Sequence, residues 1–254
     1  MSGTKSKGFD LNYYQEDFTE DNYRNLLNIA QKSYDFKKFT DIQSSTPIIL
    51  WRHDIDFSMH RAYQLAKIEH DEGVQATYFL QLNCKFYNLF ETEIKEKVID
   101  ILSLGHSIGL HFDPTAYKIT NQEDLENRLT FEKEILEQLF NVTIHVFSFH
   151  NPTPEITKFD HLKLAGMLNT YARIFKDEFH YCSDSNGYWR HERLEDVLKS
   201  AKYDKLQILT HPAWWQKEIM SPQQRIQRCI DGRTTAIEAS YNMLLKQHGR
   251  ENIG

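Results

Sequence analysis

The chain has little cysteine. Cys84, Cys182 and Cys229 are odd in number, widely spaced and outside any CxxC pattern. That excludes a disulfide framework, suits a reducing compartment, and leaves each thiol as a small buried hydrophobe. Long hydrophobic runs are also missing: no stretch approaches the roughly 18 apolar residues of a spanning helix, so no membrane span is expected. Basic residues are in deficit, with 30 Lys and Arg against 36 Asp and Glu and a formal charge of −6. With no basic run interleaved with aromatics, a nucleic-acid partner is not expected. The polar start Met1–Gly8 lacks the apolar core of a signal peptide, which makes cytoplasmic the expected location. Neither an internal repeat nor a low-complexity linker occurs. What remains is ordinary globular material, 254 residues with 40% hydrophobic and 26% charged, long enough for one large core.

Periodicity organises the chain. Residues 1 to about 17 read as a loose arm anchored by Tyr13, Tyr14 and Phe18, and Thr19 to about Tyr34 as a helix. The apolar run Ile48–Trp51 reads as a buried strand, and Ser58 caps a helix that stops at Gly73. Strands follow over 76–80, 107–112 and 143–149, with helices over 91–104, 121–140 and about 155–165 between and after them. Weaker strands are expected over 168–174 and 179–183, and a further one over 206–210. Ser221-Pro222-Gln223-Gln224 opens a last helix expected to turn Ile226, Ile230, Ile237, Tyr241 and Leu244 inward. Alternating strands and helices call for a parallel sheet with right-handed crossovers. The expected fold is α/β, a single-domain distorted (β/α) barrel of about seven parallel strands, with an open doubly wound sheet as the rival. Residues 1–44 would be an arm and helix packed on the barrel, and 45–254 the barrel with its C-terminal helix.

Ligands of such sheets collect beyond the C-terminal strand ends, and the polar residues gather there. Asp54 and Asp56 follow the first strand, Gln81 and Asn83 the second, His111 and Asp113 close the third, His150 follows the fourth, and Asp184 and His211 follow late strands. Two carboxylates one residue apart need a cation, a metal or solvent beside them. Asp56 has a bland alternative as a helix cap, with Ser58 as rival for that role. A rim of Asp and His drawn from several strands is the composition of a hydrolytic metal site. His111 and Asp113 share one strand face and can converge on a metal with a carboxylate of the first strand, whereas His106 belongs to a turn or orients a neighbouring carboxylate. His211, with Asp184 fixing its tautomer, is a candidate acid. Tyr188, Trp189, Trp214 and Trp215 are either core or a wall on which sugar rings stack. Cys182 has no base beside it and is discounted as a nucleophile.

The ordered set His53-Asp54-Ile55-Asp56, Gly105-His106-Ser107-Ile108-Gly109-Leu110-His111, Ser183–Trp189 and Leu209-Thr210-His211 resembles the polysaccharide deacetylase family of carbohydrate esterases. More narrowly, it is similar to a cytoplasmic branch with an Arg-His-Asp-x-Asp first motif, tied to surface-polysaccharide synthesis. The resemblance spans roughly residues 45–215. It implies a distorted barrel, a divalent metal that is often zinc, and hydrolysis of N-acetyl groups on amino sugars. Position by position it implies Asp54 as general base, Asp56 and His111 as metal ligands, Asp184 as orienting carboxylate and His211 as general acid. Two departures matter. The family's second metal histidine falls at Thr115, leaving Asp113 or His150 for that place. Its Arg-x-Pro motif is replaced by Phe147–Pro152, leaving Arg52 as the substitute arginine. Substrate contacts are expected from Arg52, Asn83, Trp189 and Trp214, to a small-molecule or lipid-linked amino sugar. The alternatives are a metal-free amidase acting on a small ureide-like compound, a catalytically silent sugar-binding relative, and a structural partner in a biosynthetic complex.

Overall fold

The computed structural model describes residues 13–44, 47–189 and 191–253. Most of the expected N-terminal arm, and the boundary at 45, lie outside the described residues. Strands β1 (Asp35–Phe36), β2 (Ile48–Ile55), β3 (Thr77–Leu80), β4 (Ser107–Phe112), β5 (Val146–Phe149), β6 (Lys163–Leu164), β7 (Met167–Asn169), β8 (His180–Ser183) and β9 (Lys205–Thr210) join one sheet. Its order is β6-β7-β5-β4-β3-β2-β9-β8, with β1 beside the start of β2. All pairings are parallel except the β6–β7 hairpin. Helices α1 (Glu20–Gln31), α2 (Met59–Asp71), α3 (Thr92–Ser103), α4 (Gln122–Phe140), α5 (Arg173–Glu178), α6 (Leu194–Ser200) and α7 (Pro222–Gln247) complete the chain. This is an α/β single domain whose seven main strands curl into a distorted barrel. Strands β7 and β8 do not pair with each other, so the barrel keeps a seam. Among the described residues no helix is long and apolar enough to cross a membrane.

Strand β2 is the spine, buried at all eight positions. Its period of two splits the residues between two environments. Ile48 and Leu50 join an apolar plug inside the barrel with Phe39, Phe79, Val146 and Phe175. Trp51 and Ile55 pack outward in the main core with the helices. His53 also faces outward, where Glu69 of α2 accepts from Tyr23 of α1 and, at 2.6 Å, from Tyr78, and meets His53 Nε2 at 2.6 Å. His106 sits at the rim of this knot, 3.5 Å from Glu69, with Nε2 donating to the carbonyl of Ala66. Its Nδ1 accepts from the Ala76 N–H at 3.2 Å, so the ring ties together the backbone between α2 and β3, the turn role of the two expected for it.

Three local expectations are corrected. No helix spans 155–165; a single 3-10 turn covers Ile156–Lys158. The Asn169 amide ties up the carbonyls of Phe159, at 2.8 Å, and His161. Positive φ at Ala165 and Gly166 then reverses the chain into the β6–β7 hairpin. The strand expected over 168–174 ends at Asn169, whose side chain accepts from the Tyr171 N–H at 2.9 Å and turns the chain toward α5. Helix α7 starts on the expected capping box, and Ile226 packs on the core as expected, but the later apolar positions do not point inward. Ile230, Ile237, Tyr241 and Leu244 are 41–54% exposed, because only the first turns lie on the body.

Candidate metal centre with a flanking base and acid

Strand β2 does not stop before its ionisable residues. Pairing with β3 runs from Arg52 to Ile55, so Asp54 lies inside the ladder and faces the barrel interior. Asp56 follows in a tight turn, its N–H bonded to the Asp54 carbonyl at 3.2 Å. Ser58 caps α2 by accepting from the Arg61 N–H, which leaves the Asp56 side chain free for the site.

Three ligand atoms converge here. Asp56 Oδ1 is 3.1 Å from His111 Nε2 and 3.3 Å from His150 Nδ1, and the two ring nitrogens are 3.1 Å apart. Among the described residues this is the group able to hold a metal ion. A tetrahedral cation with bonds of about 2.0–2.1 Å sets its ligands about 3.3 Å apart, close to these spacings. The donor chemistry fits too. Two imidazole nitrogens against one carboxylate oxygen can share a proton only in part, whereas a divalent cation satisfies every lone pair. Burial raises the Asp56 carboxyl, but His111, His150 and His211 override it and hold the group far below the usual range. Burial likewise opposes charging of His150, and Asp56 raises it. His150 Nε2 meets the Asn151 side-chain amide at 2.9 Å. The facing atom is the amide nitrogen Nδ2, which donates, so Nε2 is the acceptor and the proton on Nδ1 must leave when a metal binds there.

Asp54 flanks this centre on one side. It is 2% exposed, and its Oδ2 accepts from Arg52 Nη2 and from Ser148 Oγ, each at 3.3 Å. Oδ1 has no partner. On the other side stands His211, whose Nε2 lies 3.8 Å from Asp56 Oδ2. Its Nδ1 meets Asp184 Oδ1 at 2.6 Å. Asp184 is fully buried, accepts from the His211 backbone N–H and takes the Trp215 indole N–H at 3.0 Å. Burial disfavours the charged imidazole, but Asp184 outweighs it and raises His211 to about 9.

The site opens into a cleft of about 420 Å³ whose walls include Asn83, Trp214 and Asp113, together with Lys85 and Asn186, which the sequence reading did not single out. Several expected roles change place. Asp113 is not one of the three clustered groups; it caps the turn at Pro114–Ala116, accepting from the Thr115 N–H at 2.9 Å. Trp189 is no cleft wall. It is 7% exposed, stacks on Phe18 and donates to Asp17, because the chain after Gly187 turns down onto the N-terminal segment. Arg52 does not reach substrate either: it is fully buried one layer beneath Asp54, where an arginine can support the base. Ser148 was missed; its inward register opposite His111 was the available signal. Burial pushes the Cys182 thiol up to about 12, in keeping with its inert reading.

No family model and no curated protein matches the chain. Similar solved structures include a mutant of BA3943, a CE4 family pseudoenzyme from Bacillus anthracis with restored enzymatic activity (14% identity, 78% of this chain and 65% of that one, TM-score 0.45). Others are the peptidoglycan deacetylase PdaC of Bacillus subtilis (10%, 82% and 99%, 0.46) and a family 4 acetyl xylan esterase of Clostridium thermocellum with a cobalt ion (12%, 80% and 92%, 0.43). This chain thus spans less than two thirds of the first of them. The matches are of the same kind as the family the motifs resemble. At these identities and TM-scores they carry no argument about chemistry, which rests on the site itself.

Proposed function

We propose that the chain is a metal-dependent hydrolase that removes an N-acyl group, N-acetyl in the leading case, from an amino-sugar precursor of surface polysaccharide. The observation that carries this reading is the triangle of Asp56, His111 and His150 with a carboxylate on one flank and a charged imidazole on the other. A divalent cation in the triangle, zinc in the leading case, would polarise the amide carbonyl and lower the pKa of water toward about 7. Asp54 pairs with Arg52 through Oδ2, and its unpartnered Oδ1 takes the proton of the attacking water. His211, charged and oriented by Asp184, gives a proton to the departing amine nitrogen. The acid step needs a protonated imidazole, and the pairing with Asp184 supplies it.

The open cleft is in the size range of small-molecule sites. Trp214 offers a ring face, Asn83 and Asn186 hydrogen bonds, and Lys85 a cation for a phosphate on a nucleotide- or lipid-linked sugar. The test is paired. Elemental analysis of protein purified without chelator should find one divalent metal per chain, lost in Asp56→Asn and His150→Ala. Asp54→Asn should keep the metal yet lower acetate release from N-acetylated amino sugars by about 10²–10⁴. A metal-free chain that still hydrolyses, or an Asp54→Asn variant with full activity, rejects the assignment.

A further inference from the structure

The barrel has an unused side entrance. Where β7 and β8 fail to pair, a cavity of about 300 Å³ opens on the seam, lined by Thr170, Tyr171, Phe175, Phe179, Tyr181 and Gln207. Its polar groups are unspent. Thr170 Oγ1 and Gln207 Oε1 are buried without hydrogen-bond partners, on side chains 3% and 4% exposed. Behind them lies Arg52, sandwiched between the rings of Phe79 and Tyr171 at 5.4 and 5.7 Å. The guanidinium is fully buried; Nη2 serves Asp54 and the Tyr171 hydroxyl lies close by, yet Nε and Nη1 meet no acceptor in hydrogen-bond geometry. Buried N–H groups left without acceptors are costly, so a cation with two such donors is an anion site in waiting. The remaining walls are Lys176, whose ammonium donates to the Thr157 carbonyl, and the rings of Phe175, Phe179 and Tyr181, which suit a methyl or short alkyl group.

We propose that the seam is a second port into the barrel and that Arg52 and the Thr170 hydroxyl, with the N–H side of the Gln207 amide turned to it, bind a short monocarboxylate there. Given the hydrolysis proposed above, on which this assignment rests, that anion is the acid product. It forms beside Asp54, whose Oδ2 is 3.3 Å from Arg52, passes down one layer of the barrel and leaves through the seam. The amine product leaves through the cleft. Separate exits let the acid go while the sugar still fills the cleft.

Acetate itself is the probe, read by saturation-transfer NMR on the full chain, with thermal melts verifying that each variant is folded. In Asp56→Asn, which dismantles the metal triangle, acetate binding should persist. In Thr170→Val/Gln207→Leu it should weaken at least about tenfold, equivalent to about 1.4 kcal/mol. Tyr181→Trp, which fills the seam, should abolish it. Binding that disappears with Asp56→Asn and ignores the seam variants places the acid in the cleft alone and overturns the port, as does no binding at all. Because this measurement needs no turnover, it separates from the fate of the hydrolase reading. Acetate release with product inhibition untouched by the seam variants sinks the port and spares the enzyme. Seam-dependent acetate binding in a chain that hydrolyses nothing keeps the site and removes the reaction.

Discussion

Replacing Asp184 by Asn probes the acid half of the site with little change of shape. The carboxylate is the main favourable influence on His211, opposing burial and raising the imidazole from 6.5 to about 9. Asparagine removes that charge and leaves burial against the smaller pull of Asp56 and Asp54, so the imidazole falls toward its ordinary 6.5. At pH 8 about nine-tenths of the wild-type ring is charged, against about 3% at a pKa of 6.5, a loss of about 30-fold in proton donor. At pH 6 the same comparison gives less than about twofold, so the ratio of wild-type to variant activity should climb steeply between these values. The direct assay is the NMR titration of the His211 ring, which needs no substrate; kcat/KM against pH on an N-acetylated amino sugar is the functional counterpart. The stability linkage has the same sign. A raised folded pKa contributes stability that is fully present below 6.5 and lost as pH rises through about 9. A variant whose ring titrates like wild type, or whose rate profile runs parallel to it, refutes the pairing as the source of the acid.

Other expectations concern the scaffold. Glu69→Ala strands the hydroxyls of Tyr23 and Tyr78 and the ring of His53 in the core, and should cost roughly 3–6 kcal/mol in urea denaturation. The Glu69 carboxyl is raised by burial but lowered overall by His53, His106 and Tyr23, so its contribution holds above about 4.5 and should fade as pH falls through the depressed folded value. Gly109→Ala puts a Cβ 2.7 Å from the Phe79 ring and 2.9 Å from the Val146 carbonyl, and should destabilise by about 1–3 kcal/mol in the same assay. Ending the chain after Ala236 keeps the Arg233–Glu91 bridge and removes exposed helix, so the melting temperature should move by no more than a few degrees. A large drop would mean that the distal part of α7 is covered.

What the sequence disclosed, and what it hid, divides along physical lines. Strands β2 to β5 and β9 carry dense β-branched or aromatic runs between clear caps, and the polar residues at their ends announced the rim. Asp54, Asp56, His111, His150, Asp184 and His211 do meet. The choice between Asp113 and His150 was not legible, because both follow strands at plausible positions. It is decided by a turn: Asp113 spends its carboxylate on Thr115, while His150 swings inward. Trp189 and Trp214 are alike on paper, and only the course of the chain after Gly187 sends one to the core and the other to the cleft. The segment 155–174 misled for a related reason. Asn169, one polar side chain, reorganises carbonyls ten and eight residues away, and long-range capping leaves no periodic trace. For α7 the amphipathic pattern was real, but a pattern does not name the surface that meets it.

The placement of Asp54 within β2 has a consequence for how the molecule ages and fluctuates. The backbone around it is flanked by β3 on one side and β9 on the other, so its amide should be among the last to exchange with deuterium. Breathing of surface loops can shift His150, His211 and the cleft walls without displacing Asp54 or His111, which also sits within a paired strand. Variation in those loops can thus reshape the cleft while the carboxylate at its floor stays in register.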